Sequence, residues 1–136
     1  MGGSAGGIVG QIIGGNAVQP PTTIKNCAAI NSSLNASSVA VAGRILGGIQ
    51  GIHNFEALNN FALETMSAGG SAGFNNDADT RLDGVSKTDA QMKRQSTYSD
   101  EAGGGDSGGL GWKFGNDDES PWKMPADGGY PVLYWQ

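Results

Sequence analysis

The sequence predicts an all-β chain, namely a right-handed parallel β-helix-like solenoid of Gly-rich repeats followed by a short helix and an aromatic C-terminal cap. Three observations lead to this fold class. The 24 glycines among 136 residues delimit apolar runs that are too short for helices. A sequence pattern recurs after 33–37 residues, a period typical of solenoids. All 13 acidic residues and all ten aromatic residues lie at position 55 or later.

The repeat has two parts. Residues 5–10 (Ala-Gly-Gly-Ile-Val-Gly) recur 37 residues later at 42–47, and residues 26–30 (Asn-Cys-Ala-Ala-Ile) recur 33 residues later at 59–63. A unit of this size cannot bury its apolar face alone and is stabilised by stacking on its neighbours. An ordinary β-sandwich with coincidental internal similarity is the alternative interpretation.

The elements of the repeat follow from these short segments. Ile8-Val9, Ile45-Leu46 and residues 39–42 are predicted strands, since each run is short and apolar. Glycines next to the strands are expected to allow positive φ at sharp corners. Asn26 and Asn59 are expected to adopt left-handed backbone angles at a corner, or to stack as a ladder. The structural residues of the repeat are therefore predicted to be Gly7, Gly10, Asn26, Cys27, Gly43, Gly47 and Asn59.

The chain is divided into residues 1–75, with about three repeat coils, and residues 76–136, within one structural domain. A third and weaker repeat unit is predicted to begin at residues 67–73. Thr88 is a candidate N-cap for a helix over residues 88–97, which contain several helix-forming side chains. Gly103-Gly104-Gly105 is expected to form a flexible connector.

All three tryptophans lie in the last 25 residues. We expect these aromatic side chains to pack over the open end of the solenoid, because an uncovered end exposes unpaired backbone and apolar surface. The alternative is a sugar-stacking platform or a partner-binding surface. The residues of this candidate platform are Trp112, Trp122, Tyr130 and Trp135.

The sequence resembles a known family in two places. The repeats, with Gly-Ile-Val-Gly at 7–10 and Asn-Cys-Ala-Ala at 26–29, resemble the GLUG-motif repeats of bacterial surface proteins, including adhesin-like proteins of gut Bacteroides-type bacteria and the non-catalytic region of immunoglobulin A protease-like proteins. The segments 95–98, 111–114, 121–122 and 130–136 are similar to the closing segment of such proteins, which ends in Trp-Gln. The resemblance implies a parallel β-helix-like stack and a cell-surface setting, and it supplies no catalytic or ligand-binding residue.

Gly105-Asp106-Ser107-Gly108-Gly109 spells the nucleophile segment of chymotrypsin-like proteases, and His53 precedes it. The chain is too short for the two barrels of that family, and the residues around His53 do not match its histidine segment. We therefore expect Ser107 to lie in a flexible turn and the chain to have no catalytic residue. The absence of acids before Glu56 further argues against an active site on the first coils.

No cofactor or metal site is predicted. One histidine cannot build a His-rich metal site, and a lone cysteine, Cys27, cannot form an internal disulfide; we expect it to be a small buried apolar residue rather than a reactive thiol. The acidic groups at 77–83 and 117–119 have oxygen ligands that suit Ca²⁺ but lack EF-hand spacing, so we expect solvated loops.

The net charge of −5 argues against nucleic-acid binding, and no apolar segment is long enough to insert into a membrane. The chain opens inside a Gly-rich repeat without a signal peptide, so we expect the C-terminal part of a longer protein. The expected function is a non-catalytic structural or adhesion module, extracellular or at a bacterial cell surface; the alternative is a carbohydrate-binding module using the C-terminal tryptophans. Expected partners are a host or cell-surface protein or glycan, with self-association through the N-terminal coil.

Overall fold

The computed structural model describes residues 5–13, 20–35, 42–50, 55–69, 82–99 and 108–136. These residues form mostly strands, with two short helices, which confirms the prediction of an all-β chain. The elements are β1 (Ala5–Gly6), β2 (Ile12–Ile13), β3 (Thr22–Lys25), β4 (Ala28–Ala29), β5 (Ser33–Asn35), β6 (Ala42–Gly43), β7 (Ile49–Gln50), β8 (Phe55–Leu58), β9 (Phe61–Leu63), β10 (Ser67–Gly69), β11 (Val85–Lys87), α1 (Asp89–Met92), α2 (Ser96–Ser99), β12 (Phe114–Asp117), β13 (Ser120–Lys123) and β14 (Val132–Leu133).

The first ten strands form two passes of the chain, β1–β5 and β6–β10, and each strand of one pass pairs in parallel with its counterpart in the other. Ala5 lies opposite Ala42 and Ile12 opposite Ile49, whereas Ala28 lies opposite Phe61. The sequence offsets of 37 and 33 residues are therefore the register of the sheets. This parallel pairing differs from the antiparallel sheets of the β-sandwich alternative.

A first apolar core receives side chains from every strand of the first pass. Its buried members include Ile24, Ala29 and Leu34, and Ala5 and Ile12 pack against it. The second pass adds Ile45, Leu46, Ala62 and Met66. The strands are only two to four residues long, so most of the packing that stabilises each one comes from this common core rather than from its own ladder.

The predicted strands at Ile8-Val9 and Ile45-Leu46 are wrong in extent, because Val9 and Leu46 meet in a single isolated parallel bridge. In the predicted strand over 39–42, residues 39–41 lie outside the described residues, and Ala42 begins β6. Glycine-rich turns occupy the positions between these short pairings, which limits how far each ladder extends.

The prediction of a third repeat unit starting at residues 67–73 is wrong for its described part. Ser67–Gly69 is β10 and pairs with β5, so these residues complete the second pass. The chain next meets the second pass at residues 82–87, where the carbonyl of Leu82 accepts hydrogen bonds from the backbone N–H groups of Ile45 and Leu46. β11 then pairs with β9 at an offset of 24 residues, which is shorter than the repeat.

The repeat glycines permit close approach of two passes rather than positive φ, contrary to the sequence-based expectation. Gly7 has an ordinary backbone conformation, but a Cβ atom there would lie 2.1 Å from the carbonyl oxygen of Arg44. A Cβ atom at Gly47 would lie 2.4 Å from the carbonyl oxygen of Gly10, and one at Gly43 would lie 2.2 Å from that of Leu46. Side chains at these positions would therefore push the two passes apart.

The expectation for the two asparagines is confirmed in both of its forms. Asn26 and Asn59 are the described non-glycine residues with positive φ, at 56° and 53°. The Asn59 side-chain amide donates to Asn26 Oδ1 at 2.8 Å, so the two side chains form one step of a ladder between the passes. Asparagine tolerates the left-handed conformation better than most residues, which explains its presence at the corner that both passes share.

The predicted helix over 88–97 is present as two shorter helices. Thr88 caps α1 with a full capping box, in which Thr88 and Gln91 exchange side-chain to backbone hydrogen bonds. The helix ends at Lys93, and α2 follows at Ser96–Ser99. None of the helices among the described residues is long and apolar enough to cross a membrane.

The C-terminal aromatic residues pack on the side of the repeat rather than over its end, so the predicted position of the cap is wrong. In β9, Ala62 faces the first core, while Phe61 and Leu63 face a second core with Val85 and Tyr98. Successive side chains of a strand point to opposite faces, so the sheet β11-β9-β4 separates the two cores. The antiparallel sheet β12-β13-β14 and the two helices lie on this outer face.

Candidate functional site

Three aromatic rings of the C-terminal part form a continuous stack. Tyr98 and Trp112 have ring centroids 5.0 Å apart, and Trp112 and Trp122 lie 4.1 Å apart with an interplanar angle of 14°. Tyr98 is fully buried, whereas both tryptophans are half-buried. The stack therefore runs from the second core toward the surface and ends at Trp122.

Each end of this stack is fixed by hydrogen bonds. The Tyr98 hydroxyl donates to the Met92 carbonyl at 2.5 Å, and the Tyr98 carbonyl accepts from the backbone N–H groups of Leu110 and Trp112. The Trp112 indole N–H donates to the Asn26 carbonyl at 2.8 Å. Burial raises the pKa of the Tyr98 phenol, so this hydroxyl stays a donor at neutral pH. The stack is thus a rigid element tied to the first pass.

An open hollow of about 290 Å³ lies beside the exposed end of the stack. Its position follows from an irregularity in the β12–β13 pair, where Phe114 pairs with both Pro121 and Trp122. A β-bulge of this kind bends a strand and redirects its side chains. The lining residues are Gln95, Phe114, Gly115, Asn116, Trp122, Lys123 and Met124.

The polar groups of the hollow are two amides and one ammonium. The side chains of Gln95 and Asn116 are exposed and form no hydrogen bond within the described part of the chain. Lys123 Nζ donates to the Tyr134 carbonyl at 3.0 Å, which anchors this side chain along the wall. The lining contains no carboxylate, so the arrangement suits hydroxyl groups or an anion rather than a metal cation.

A second, smaller cavity of about 130 Å³ lies on the other side of the tryptophan stack. It is lined by Ala28, Ile30, Tyr98, Trp112, Trp122 and Pro131, which offer mostly apolar surface. Ile30 is 41% exposed at its rim. This cavity joins the first pass to the C-terminal part and has few groups that could orient a polar ligand.

Of the four residues of the predicted platform, the structure brings two together, Trp112 and Trp122. Tyr130 instead packs at the start of α1, where its hydroxyl donates to Asp89 Oδ1 at 2.6 Å and Lys93 Nζ lies 5.3 Å from its ring centroid. The hydrogen bonds from Lys93 and Tyr130 lower the pKa of Asp89, and the bond to Asp89 raises the pKa of Tyr130. This triad holds the C-terminal segment against the helix.

Trp135 lies apart from the stack. It is 62% exposed and contacts Tyr134 edge-on at a centroid distance of 4.9 Å. The Tyr134 hydroxyl donates to Asp118 Oδ1 at 2.7 Å, and this bond raises the pKa of Tyr134. Trp135 is therefore not part of a platform with Trp112 and Trp122.

Cys27 is half-buried against the first core, and burial raises the pKa of its thiol. Its Sγ lies 3.2 Å from the Lys25 carbonyl. At the matching position of the second pass, Asn60 is fully buried, accepts from the Cys27 backbone N–H and donates to the Ile24 carbonyl. Asn60 thus links the passes through buried polar groups, a role that sequence reasoning missed.

Arg44 is a further buried group that the sequence analysis did not single out. Its side chain is 1% exposed and donates to Ser86 Oγ at 2.8 Å and to the Gly84 carbonyl at 3.1 Å. Asp83 Oδ1 accepts from the Arg44 backbone N–H at 3.0 Å. Burial lowers the pKa of Arg44, while Asp83 opposes that shift. A lone arginine within an acid-free apolar repeat was the signal that could have revealed it.

The segments considered for catalysis mostly lie outside the described residues, including His53, Ser107, Asp77 and Asp79, as does the expected connector at 103–105. Asp117 Oδ1 accepts from two backbone N–H groups of its own turn, those of Glu119 and Ser120. Across the residues that the structure describes, no group of three or more His, Cys, Asp or Glu side chains is placed to hold a metal ion.

Comparison of the chain with models of protein families, with curated proteins and with solved structures finds no match. The arguments on function therefore start from the geometry of the chain itself.

Proposed function

We propose that the chain is a non-catalytic structural and adhesion module, built as a right-handed parallel β-helix-like stack of coils. The observation that carries the proposal is the packing of β1–β5 around one core, to which each of these five strands contributes at least one side chain. Five short strands in succession reach one core most simply when the pass curves around it. The parallel pairing of the second pass then corresponds to the next coil.

The interaction between the two passes supports the same proposal. Equivalent residues meet at the repeat offset on several faces, and the Asn26–Asn59 bond joins them at a corner. Glycines at 7, 43 and 47 allow the backbones to approach closely. A stack of this type is stiff because each coil packs on its neighbours, which suits a spacer that presents a binding surface.

The family and setting belong to the same proposal. We place the chain with the GLUG-motif repeat proteins, as the C-terminal part of a longer bacterial protein that is secreted or held at the cell surface. Its partner would be a host or cell-surface protein or glycan. The support is the resemblance of residues 7–10 and 26–29, together with the stacking of these segments on their counterparts.

Bead adhesion and activity assays test the two halves of this proposal. Beads coated with the chain should be retained on epithelial cell monolayers severalfold above beads coated with albumin, and equal retention would refute the adhesive role. The soluble chain should not cleave casein or a panel of polysaccharides, and Ser107 should not react with a fluorophosphonate probe. Turnover that co-purifies with the chain would refute the non-catalytic assignment.

A second candidate function is a carbohydrate-binding module that uses the C-terminal tryptophans. The observation that favours it is the hollow beside Trp122, in which an aromatic ring and two unpaired amide side chains lie together. Trp135 and Tyr130 are not needed for this function, because neither lines the hollow.

Self-association through the first pass is also part of the proposal. Within the described residues, β1–β5 each have one paired edge, and Ile13 is 73% exposed. Unpaired strand edges and exposed apolar side chains favour association with a second copy. Light scattering should show a mass that rises with concentration, and a constant monomer mass at the highest soluble concentration would refute it.

A further inference from the structure

We propose that the hollow beside Trp122 is a saccharide-binding site that holds one or two pyranose units of an oligosaccharide. The proposal rests on the second candidate function and assigns it a place and a set of residues. Binding would involve the ring of Trp122, the amides of Gln95 and Asn116, and the ammonium of Lys123.

The chemistry of the lining matches a sugar. A pyranose has an apolar face of C–H groups and a rim of hydroxyls that both donate and accept hydrogen bonds. Trp122 supplies an aromatic surface, and one of its faces is already covered by Trp112, so the hollow meets the remaining surface of the ring. Gln95 and Asn116 each supply a carbonyl acceptor and an NH₂ donor.

The amides are available for a ligand. Neither Gln95 nor Asn116 forms a side-chain hydrogen bond within the described residues, whereas the neighbouring Lys123 is held by the Tyr134 carbonyl. Lys123 is the charged residue of the lining, and an ammonium has three N–H donors, so two of them can reach a ligand. A uronic acid carboxylate would therefore bind more tightly here than a neutral sugar.

The site is placed on rigid elements. Phe114 and Asn116 belong to β12, and Trp122 and Lys123 to β13, in a sheet whose irregular pairing at Phe114 forms one wall. Behind them, the aromatic stack continues to the buried Tyr98. A fixed aromatic ring loses little conformational entropy on binding, which favours affinity for a small ligand. The volume of about 290 Å³ is at the small end of ligand pockets.

The test uses the full chain on an array of neutral and uronate-containing oligosaccharides, followed by titration calorimetry with the strongest hit. Gln95→Ala and Asn116→Ala should each weaken binding about fivefold to tenfold, because each removes hydrogen bonds to sugar hydroxyls. Trp122→Phe should also weaken binding, since it reduces the aromatic surface. The matched control is Asn35→Ala, an exposed asparagine in β5 that should leave affinity unchanged.

The outcomes separate the sugar site from the stacked fold. Gln95 and Asn116 are exposed, so their alanine variants should keep the thermal midpoint and circular dichroism spectrum of the parent chain. No retention of the chain on any array sugar would overturn the proposal, as would a hit whose affinity is unchanged in Gln95→Ala and Asn116→Ala. Equal loss of affinity in Asn35→Ala would also overturn it. An intact fold in each case leaves the structural role of the repeat standing.

Discussion

Replacement of Asn59 tests the link between the two passes most directly. Asn59 has φ of 53°, and its amide donates to Asn26 Oδ1 at 2.8 Å and to the Gly109 carbonyl at 3.0 Å. Two substitutions separate these contributions. Asn59→Gly removes the side-chain hydrogen bonds and keeps a residue that tolerates positive φ, whereas Asn59→Ala removes the bonds and strains the backbone.

The expected magnitudes follow from these contacts. Two hydrogen bonds at about 1 kcal/mol each give a loss of about 2 kcal/mol, and the buried Gly109 carbonyl adds to it when it loses its donor. Removal of Asn59 Oδ1, a buried acceptor that receives no hydrogen bond in the described structure, offsets part of that increase. Glycine adds about 0.5–1 kcal/mol through the entropy of the unfolded chain. The free energy of unfolding should therefore fall by about 2–3 kcal/mol in Asn59→Gly.

Asn59→Ala should be less stable than Asn59→Gly. The left-handed conformation costs alanine about 1–2 kcal/mol, and this exceeds the entropy that glycine loses on folding. The difference should be about 0.5–1 kcal/mol. Asn26→Gly is the matched control, since it removes one hydrogen bond at a position with nearly the same φ, and it should lose about 1–2 kcal/mol.

Urea unfolding followed by circular dichroism measures these free energies, provided that the m-value stays constant. The double variant of Asn26 and Asn59 to glycine should lose about 1 kcal/mol less than the sum of the single variants, because both remove the same bond. Asn59→Gly within about 0.5 kcal/mol of the parent chain would refute the contribution of the ladder bond. Greater stability of Asn59→Ala than of Asn59→Gly would refute the left-handed backbone.

Three further perturbations probe the packing of the passes and the C-terminal part. Tyr98→Phe should lower the free energy of unfolding by about 1–3 kcal/mol in urea titrations, because the buried Met92 carbonyl region loses its hydroxyl donor. Gly7→Ala should lower the thermal midpoint through a loss of about 1–3 kcal/mol, because the added Cβ would lie 2.1 Å from the Arg44 carbonyl oxygen. Asp89, whose pKa is lowered by its lysine and tyrosine partners, should stabilise the fold above its unfolded pKa; urea titrations at several pH values should show that this contribution is lost as the pH falls through the lower folded pKa.

Controls exist for each of these three predictions. Tyr134→Phe removes an exposed hydroxyl bond to Asp118, so it should cost less than Tyr98→Phe, and equal losses would contradict the role of burial. For Gly7→Ala, an unchanged midpoint would show that the passes are not in close contact. For the pH prediction, Asp89→Asn should flatten the acid limb of the stability profile, and an unchanged limb would contradict the assignment.

Local pattern was sufficient for the features that depend on neighbouring residues. The repeat offsets gave the register of the sheets because identical short motifs pack most closely when they lie side by side. Thr88 and Gln91 form the capping box that their spacing allows. The asparagine corner followed from the tolerance of Asn26 and Asn59 for positive φ.

Other features needed the tertiary structure. Gly7 and Gly47 are required by the approach of another pass, and the sequence carries no record of which backbone lies opposite. The position of the aromatic residues depends on Phe61 and Leu63 facing away from the first core, which is set by strand direction and not by composition. The hollow beside Trp122 brings Gln95 together with Asn116, residues that no spacing rule connects.

The sequence by itself therefore determined an all-β chain, the register of its two repeated passes and the start of its helix. These features depend on residue size, backbone preference and hydrogen bonds between near neighbours or repeated motifs. Only the tertiary structure decided that residues 82–87 adjoin the second pass and that Trp112 stacks on Trp122. Contacts between unlike segments depend on how complementary surfaces meet in three dimensions, and no periodic pattern in the chain encodes that meeting.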